Sequence, residues 1–249
     1  MLTRVHHVGL VVQRLEDGLA FWRDALGLRV SKQATVLDQG VKAALLPIGR
    51  SEIELLEPVN ANGGVAKFLE KRGEGLHHVC FETPDVSAEL ERARAAGFPL
   101  IDEAPRAGLA GTICFLHPKG TRGVLVEFAT PPPGETPHHG AAGSGPLASL
   151  ALAEVTARSR DAAAAAELFA SKLALERLGT DVVATGGVRL HFVADAADSE
   201  GLSGLVLEVA DLAAARPALS AFGPSADTHG FHLDPGRCHG VPLRIQRGT

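Results

Sequence analysis

The chain has 249 residues, of which 45% are hydrophobic and 21% charged, so it can bury a substantial core and is not intrinsically disordered. Its net charge of -5, from 24 Lys and Arg against 29 Asp and Glu, offers no basic surface for nucleic acid or anionic lipid. Three widely spaced cysteines and the lack of a long apolar run argue against a disulfide framework and a membrane span. We therefore expect a cytoplasmic protein with no nucleic-acid or membrane partner.

The first 130 residues contain strand-like segments separated by two amphipathic helices. The strand-like segments are rich in branched or apolar residues and end at Gly, Pro or charged residues. They comprise residues 5–12, 43–47, 52–57, 77–83, 112–116 and 124–129. One helical face is formed by Leu15, Leu19, Trp22 and Leu26, and a second by Val86, Leu90 and Ala93. Gly27 and Gly97 follow these two faces and predict the ends of the helices.

The two halves of this region repeat each other. A shift of 71 residues places the HHV of residues 6–8 on the HHV of residues 77–79. A shift of 73 places IEL at 53–55 on VEF at 126–128. Residues 1–130 therefore contain two copies of one module, a strand and a helix followed by three strands (βαβββ).

A Pro/Gly-rich segment, residues 131–146, follows the two modules and predicts an interdomain linker, because nine of its sixteen positions are Pro or Gly. The pair His138-His139 lies in this segment and is not expected to bind a metal. Shifts of 147, 126 and 117 align the first two modules with residues 147–249. We predict an α+β fold in which paired βαβββ modules are duplicated into two domains, residues 1–130 and 147–249.

Each module of the first domain supplies one histidine and one glutamate with the character of metal ligands. His7 and His78 occupy the less apolar face of their strands, whereas Glu54 and Glu127 lie between apolar neighbours. A carboxylate in such surroundings is costly to bury unless it is paired, hydrogen-bonded or metal-bound. Pseudo-twofold pairing of the modules would bring the four side chains together. Two imidazoles and two carboxylates suit Co, Mn, Zn, Ni or Fe and do not select among them.

The neighbouring histidines and the second domain are interpreted differently. A single histidine in a strand is more often a core or edge residue, so His6 and His77 are assigned to packing or to orienting the adjacent histidines. In the second domain the four ligand positions become Glu154, His191, Gly204 and Arg244. Glycine has no ligand atom and arginine does not coordinate a cation, so we expect this domain to lack a full metal site. The remaining histidines there, His229, His232 and His239, either form a different site near the final strands or, as we favour, are surface residues.

The sequence segments themselves resemble a known family. Residues 1–130 contain, in order, VHHVGLVV, EIELLEP, KFLEKRGEGLHHVCFE, LIDEAPRAG and FLHPKGTRGVLVEF. They resemble the methylmalonyl-CoA epimerase family of the vicinal oxygen chelate superfamily, which includes glyoxalases, bleomycin resistance proteins and dioxygenases. The resemblance implies a divalent metal held by His7, Glu54, His78 and Glu127, although some members have Gln at the position of Glu54.

The resemblance also implies an activity. It is a 1,1-proton transfer that interconverts (R)- and (S)-methylmalonyl-CoA through a metal-stabilised enolate. Glu127 is the expected catalytic acid/base. Some epimerases have a second glutamate before the position of Pro47, where this sequence has Lys42 and Ala43, so Lys42, another carboxylate or water remains open as the second group. Lys119 and Arg122 of the HPKGTRG loop either contact substrate carboxylate or CoA phosphate, or belong to an ordinary solvated turn.

Other functions are kept open by the sequence. They are a glyoxalase I-like lyase, another metal-dependent enzyme such as an extradiol dioxygenase, and a small-molecule-binding protein without turnover. Dioxygenases of this type commonly use two His and one carboxylate, so Glu54 counts against that alternative. The expected partner is an acyl-CoA substrate, with a homodimer also open. The second domain would stabilise the first, replace a dimer partner or bind an effector.

Overall fold

The computed structural model describes residues 1–135, 143, 145–195 and 200–248. The described residues form two eight-stranded mixed sheets with five α-helices. His138-His139 lie outside the described residues. No helix in the described part of the chain is long and apolar enough to cross a bilayer.

The first sheet contains the strands of the first two modules. They are β1 (Arg4–Val11), β2 (Lys32–Val36), β3 (Val41–Ile48), β4 (Ser51–Pro58), β5 (Gly75–Glu82), β6 (Arg106–Gly108), β7 (Gly111–Leu116) and β8 (Leu125–Thr130). The strand order is β2-β3-β4-β1-β5-β8-β7-β6. The helices are α1 (Leu15–Leu19), continued by a π-helical turn over Ala20–Ala25, α2 (Gly64–Arg72) and α3 (Val86–Ala95). Every predicted strand and both predicted helices of this half are confirmed.

The second sheet repeats the same arrangement. Its strands are β9 (Ala151–Ser159), β10 (Glu176–Arg177), β11 (Val182–Thr185), β12 (Val188–Ala194), β13 (Gly201–Val209), β14 (Ser225–Ala226), β15 (Gly230–Leu233) and β16 (Leu243–Arg247). The order is β10-β11-β12-β9-β13-β16-β15-β14, which matches the first sheet strand for strand. The helices are α4 (Ala162–Leu173) and α5 (Leu212–Ala218). The predicted fold class, α+β with duplicated βαβββ modules, is confirmed.

Strand register supports the sequence alignment at single-residue resolution. Parallel strands β5 and β8 place Cys80 opposite Glu127. Parallel strands β13 and β16 place Val206 opposite Arg244. Because the shifts of 126 and 117 carry the first pair of residues onto the second, the two halves keep one register.

Three of the four module helices share a start signal, whereas α1 follows Arg14 and has no side-chain cap. Helices α3, α4 and α5 each follow an aspartate whose side chain accepts a hydrogen bond from the backbone N–H three residues later. Trp22 in the first module and Phe169 in the third are fully buried and occupy equivalent positions. These aromatic side chains anchor the first helix of each half in its core.

The chain forms two compact units, each of which combines modules from both sides of residues 131–146. The first unit comprises the described residues of 1–7, 78–136 and 154–203. The second comprises those of 8–77, 137–153 and 204–249. Division of the chain into domains at residues 131–146 stays a prediction.

Candidate metal centre

Three of the four predicted ligands meet within the first compact unit. His7 on β1, His78 on β5 and Glu127 on β8 are all at least 97% buried. The Nε2 atoms of His7 and His78 lie 3.0 Å apart. Glu127 Oε2 lies 2.9 Å from Nε2 of His7 and 3.0 Å from Nε2 of His78. The three ligand atoms therefore form a nearly equilateral triangle.

The buried carboxylate of this triangle requires a neighbouring positive charge. Although two ring nitrogens lie close to Glu127 Oε2, neither contact has hydrogen-bond geometry, and this buried oxygen has no hydrogen-bond partner among the described residues. Burial acts to raise the pKa of Glu127, but the charge of His7 and the contacts with both imidazoles outweigh burial and hold its pKa well below its usual range. The carboxylate is thus ionised and is satisfied either by protonated imidazole or by a bound cation.

The separations also fit a shared cation. Ligand nitrogen and oxygen atoms stand about 2.1 Å from a first-row divalent ion, so ligands at right angles to each other are about 3.0 Å apart. The observed sides of the triangle are 2.9 to 3.0 Å. Two imidazole nitrogens and one carboxylate oxygen are also the donor types that such ions accept. The residues present therefore fit a metal ion.

His6 contacts the ring of His7 on the side away from the other ligands. The Nδ1 atoms of the two residues lie 2.9 Å apart, with their rings edge-on at 85°. His6 is buried, and its prediction as a packing or orienting residue fits this contact. A hydrogen bond between the Nδ1 atoms leaves Nε2 of His7 available as the ligand atom when His7 is the donor.

Phe115 supports the opposite side of the centre. It lies on β7 directly across from Glu127, and its ring packs edge-on against His78 at a centroid distance of 5.4 Å. Sequence reasoning missed both this aromatic neighbour and the specific His6–His7 contact. For Phe115, the available signal was its place on β7, a strand predicted next to the one that carries Glu127.

Glu54 belongs to the second compact unit and is described there on its own. It lies in the middle of β4, opposite Leu45 of β3, and is 93% buried. A carboxylate buried to this degree requires a partner, as the sequence predicted.

The remaining predicted residues lie at exposed positions. Lys42 on β3 forms an ion pair with Glu57, with Nζ 2.9 Å from Oε1, and its side chain is half exposed. Lys119 and Arg122 are exposed in the loop between β7 and β8, where Arg122 has a left-handed backbone (φ 53°). No contact in this loop decides whether the two cations bind substrate.

The equivalent positions of the other half carry ion pairs. Glu154, at the position of His7, accepts from Arg189 Nε at 2.9 Å and contacts His191 Nδ1 at 3.2 Å. Arg244, at the position of Glu127, donates from Nε to Asp227 at 2.7 Å. That hydrogen bond, together with two backbone N–H donors, lowers the pKa of Asp227 well below its usual range. These positions hold mutually neutralising charges.

Comparison with known proteins relates residues of the N-terminal half to one superfamily. A family model of the Glyoxalase/Bleomycin resistance protein/Dioxygenase superfamily matches residues 6–115. The ethylmalonyl-CoA/methylmalonyl-CoA epimerase of Cereibacter sphaeroides is 36% identical over 131 residues, covering 51% of this chain and 98% of that protein. The mitochondrial methylmalonyl-CoA epimerase of Mus musculus is 34% identical over 129 residues, covering 51% of this chain and 72% of the relative.

A solved structure of an epimerase also matches about half of this chain. A Streptomyces coelicolor methylmalonyl-CoA epimerase in complex with 2-nitronate-propionyl-CoA matches with a TM-score of 0.52 and 38% sequence identity. The match covers 53% of this chain and 99% of that one. Each of these relatives is therefore similar to about half of this chain, and nearly all or most of each relative is covered.

Proposed function

Because the chain belongs to the glyoxalase/bleomycin resistance protein/dioxygenase superfamily, we propose that it is a metal-dependent epimerase that interconverts (R)- and (S)-methylmalonyl-CoA. The enzyme class, an isomerase, follows from relatives that are named epimerases and are covered almost completely by this chain. The single observation that carries the metal-dependent part is the buried triangle of His7, His78 and Glu127, whose ligand atoms lie 2.9 to 3.0 Å apart.

His7, His78 and Glu127 would hold the metal, with Glu54 as the proposed fourth ligand. The support for Glu54 is its place in the repeat, since it stands in the first module where Glu127 stands in the second. It also lies on β4, the neighbour of β1 in the strand order. A bound divalent ion supplies Lewis-acid stabilisation of the negative charge that develops on the thioester oxygen when the α-proton leaves. The donor set suits Co, Mn, Zn, Ni and Fe alike.

Glu127 is also the proposed acid/base at the α-carbon. Its burial excludes water, and the two adjacent imidazoles keep the carboxylate ionised, so it can accept a proton. The same lowered pKa weakens it as a base. Epimerisation also needs a second proton-transfer group, because the proton leaves one face of the α-carbon and is returned to the other. Lys42, another carboxylate or water are the proposed alternatives, and the ion pair of Lys42 with Glu57 counts against the first.

The exposed cations Lys119 and Arg122 are proposed to contact the CoA phosphates or the substrate carboxylate. Both lie in a short loop between two strands, β7 and β8, and β8 carries Glu127. Support comes from their charge and exposure together with the acyl-CoA present in the Streptomyces coelicolor relative. A homodimer stays a prediction, to be tested by light scattering.

The experiment follows the α-proton of methylmalonyl-CoA by NMR in deuterium oxide, using protein of known metal content. We expect the wild type to exchange this proton and the His78→Ala variant to lose both metal and exchange. His77→Ala is the matched control, because it removes the other histidine of the same pair, whose ring packs on Phe68. It should retain metal and exchange.

The same experiment separates the alternatives. Absence of exchange in fully metal-loaded wild type would contradict the epimerase proposal. A protein that bound metal and acyl-CoA without exchange would be a binding protein or would act on another substrate. Unchanged exchange in metal-free His78→Ala would contradict metal dependence while leaving the epimerase activity in place.

A further inference from the structure

Four glycines mark close contacts between the two halves of the chain. Each has a left-handed backbone, and each packs so tightly that a Cβ atom would overlap a residue of the other half. The glycines and their φ angles are Gly49 (63°), Gly123 (79°), Gly186 (59°) and Gly240 (73°). They form two pairs of equivalent positions, and each pair has one glycine in each half of the chain.

The first pair places a glycine of one half against a glutamate of the other. A Cβ on Gly240 would lie 2.2 Å from the carbonyl oxygen of Glu74. A Cβ on Gly123 would lie 2.6 Å from the carbonyl carbon of Glu200. The shifts of 117 and 126 that align the modules carry Gly123 onto Gly240 and Glu74 onto Glu200. One contact lies within each compact unit.

The two glutamates also perform the same local task. Glu74 Oε1 accepts a hydrogen bond from the backbone N–H of Gln13 at 2.7 Å, and Glu200 Oε1 accepts one from Arg160 at 3.1 Å. Gln13 and Arg160 are equivalent at the shift of 147. His239 adds a contact to Glu74, with Nδ1 2.9 Å from Oε2. The expectation that His239 lies free at the surface is therefore wrong, because it is mostly buried in this contact.

The second pair lies in two equivalent turns, Gly49 before β4 and Gly186 before β12. A Cβ on Gly49 would lie 2.8 Å from the Cβ of Ala151, and a Cβ on Gly186 would lie 2.3 Å from the Cβ of Arg4. Gly49 corresponds to Gly186 at the offset that relates Glu54 to His191, and Arg4 corresponds to Ala151 at the shift of 147. This pair is therefore also reciprocal.

Helix contacts follow the same pattern. In the second unit Phe21 packs against Phe222 at a ring centroid distance of 4.9 Å. In the first unit Lys172 donates to the backbone carbonyl of Ala96 at 3.0 Å. Ala96 and Phe222 are equivalent at the shift of 126. Each unit therefore joins the first-module helix of one half to the residues that follow the second-module helix of the other.

We infer that residues 147–249 are the built-in docking partner of residues 1–130, and that the four left-handed glycines are the contacts that permit this docking. Reciprocal contacts between equivalent positions are those of a twofold interface, in which each surface meets its own counterpart. Here the partner surface is supplied within the same chain. The half without the full ligand set thus has a structural role that is independent of the proposed activity.

The test uses the full chain with a protease site inserted within residues 131–146. After cleavage, the two halves of the wild type should elute together in size-exclusion chromatography under native conditions. A Gly123→Ala/Gly240→Ala variant should dissociate at least about 10-fold more readily, because an overlap at each glycine cannot be relieved without moving backbone. Separation of the cleaved wild-type halves would overturn the inference.

The structure offers a matched control for the backbone strain that alanine causes at positive φ. Gly97 (φ 79°) and Gly73 (φ 73°) have the same φ angles as Gly123 and Gly240, yet a Cβ at either would meet nothing within 4 Å. The Gly97→Ala/Gly73→Ala variant should therefore keep the halves together. Equal dissociation of both double variants would show that strain alone acts, and would contradict the docking role of the glycines.

A second variant leaves every glycine in place in case the alanine variants do not fold. His239→Gln weakens the contact with Glu74 and should raise the dissociation constant of the cleaved halves about 3- to 10-fold. His232→Gln is the control, because that side chain is half exposed and pairs with Asp227 of its own half. An unchanged constant in His239→Gln would count against the inference.

Discussion

The two halves of the chain keep one fold but differ at the positions where a metal would bind. Strand order is identical in the two sheets, and the register of β5 with β8 recurs in β13 with β16. At the ligand positions, His78 corresponds to Gly204 and Glu127 to Arg244. The scaffold therefore does not require the ligands.

Other positions keep the same structural role in both halves. Trp22 and Phe169 fill equivalent core sites, and the docking glycines occur as Gly49 with Gly186 and as Gly123 with Gly240. These positions serve packing within and between the halves. The comparison thus separates residues that build the fold from residues that perform chemistry, and the following variants test that separation.

The largest loss of metal binding and activity is expected when Glu127 is replaced by the arginine that the other half has at the equivalent position. Glu127→Arg introduces at the metal centre the residue found at position 244, and its positive charge repels a cation between His7 and His78. We expect metal binding to be lost and proton exchange to fall at least about 100-fold, measured by metal analysis and NMR. Arg244→Glu is the control and should leave both unchanged. Full metal content in Glu127→Arg would refute the site.

A more selective change separates the two roles of Glu127. Glu127→Gln keeps an oxygen ligand but removes the group that accepts a proton. We expect metal content to persist, while the rate of α-proton exchange falls about 100- to 10,000-fold. Exchange at the wild-type rate would mean that Glu127 is a ligand only and that the acid/base groups lie elsewhere.

A smaller effect is expected from the contact that orients His7. His6→Phe removes the Nδ1 partner of His7, so the metal dissociation constant should rise about 10- to 100-fold, measured by competition with a chromophoric chelator. His77→Phe makes the same change at the equivalent position and should leave the constant nearly unchanged. The thermal midpoint of the metal-free protein reports on folding, and a parallel loss of stability and affinity would argue for packing alone.

The smallest effect is expected at the proposed fourth ligand. Glu54→Gln retains a side-chain oxygen of the same reach, so the metal dissociation constant should change less than about 10-fold. Glu54→Leu removes the oxygen and should weaken binding by much more. If leucine were tolerated as well as glutamine, Glu54 would not be a ligand, and the site would consist of His7, His78 and Glu127.

Sequence reasoning located the ligands because the repeat makes His7 and His78, and likewise Glu54 and Glu127, appear twice at nearly constant spacing. It missed β2, β6 and α2, none of whose residues is buried and whose apolar periodicity is weak. It also missed the docking glycines. Their requirement arises from the approach of the other half, a non-local contact that no local pattern encodes.

The central claim, that only the N-terminal half holds a metal, is tested most directly by the metal-to-protein ratio after equilibrium dialysis against a divalent ion. We predict about one ion per wild-type chain, since structural and catalytic sites bind stoichiometrically when their ligands are deprotonated. A His7→Ala/His78→Ala variant should bind none, whereas a Glu154→Ala/His191→Ala variant should bind as the wild type does. Two ions per wild-type chain, or loss of binding in the second variant alone, would contradict the account.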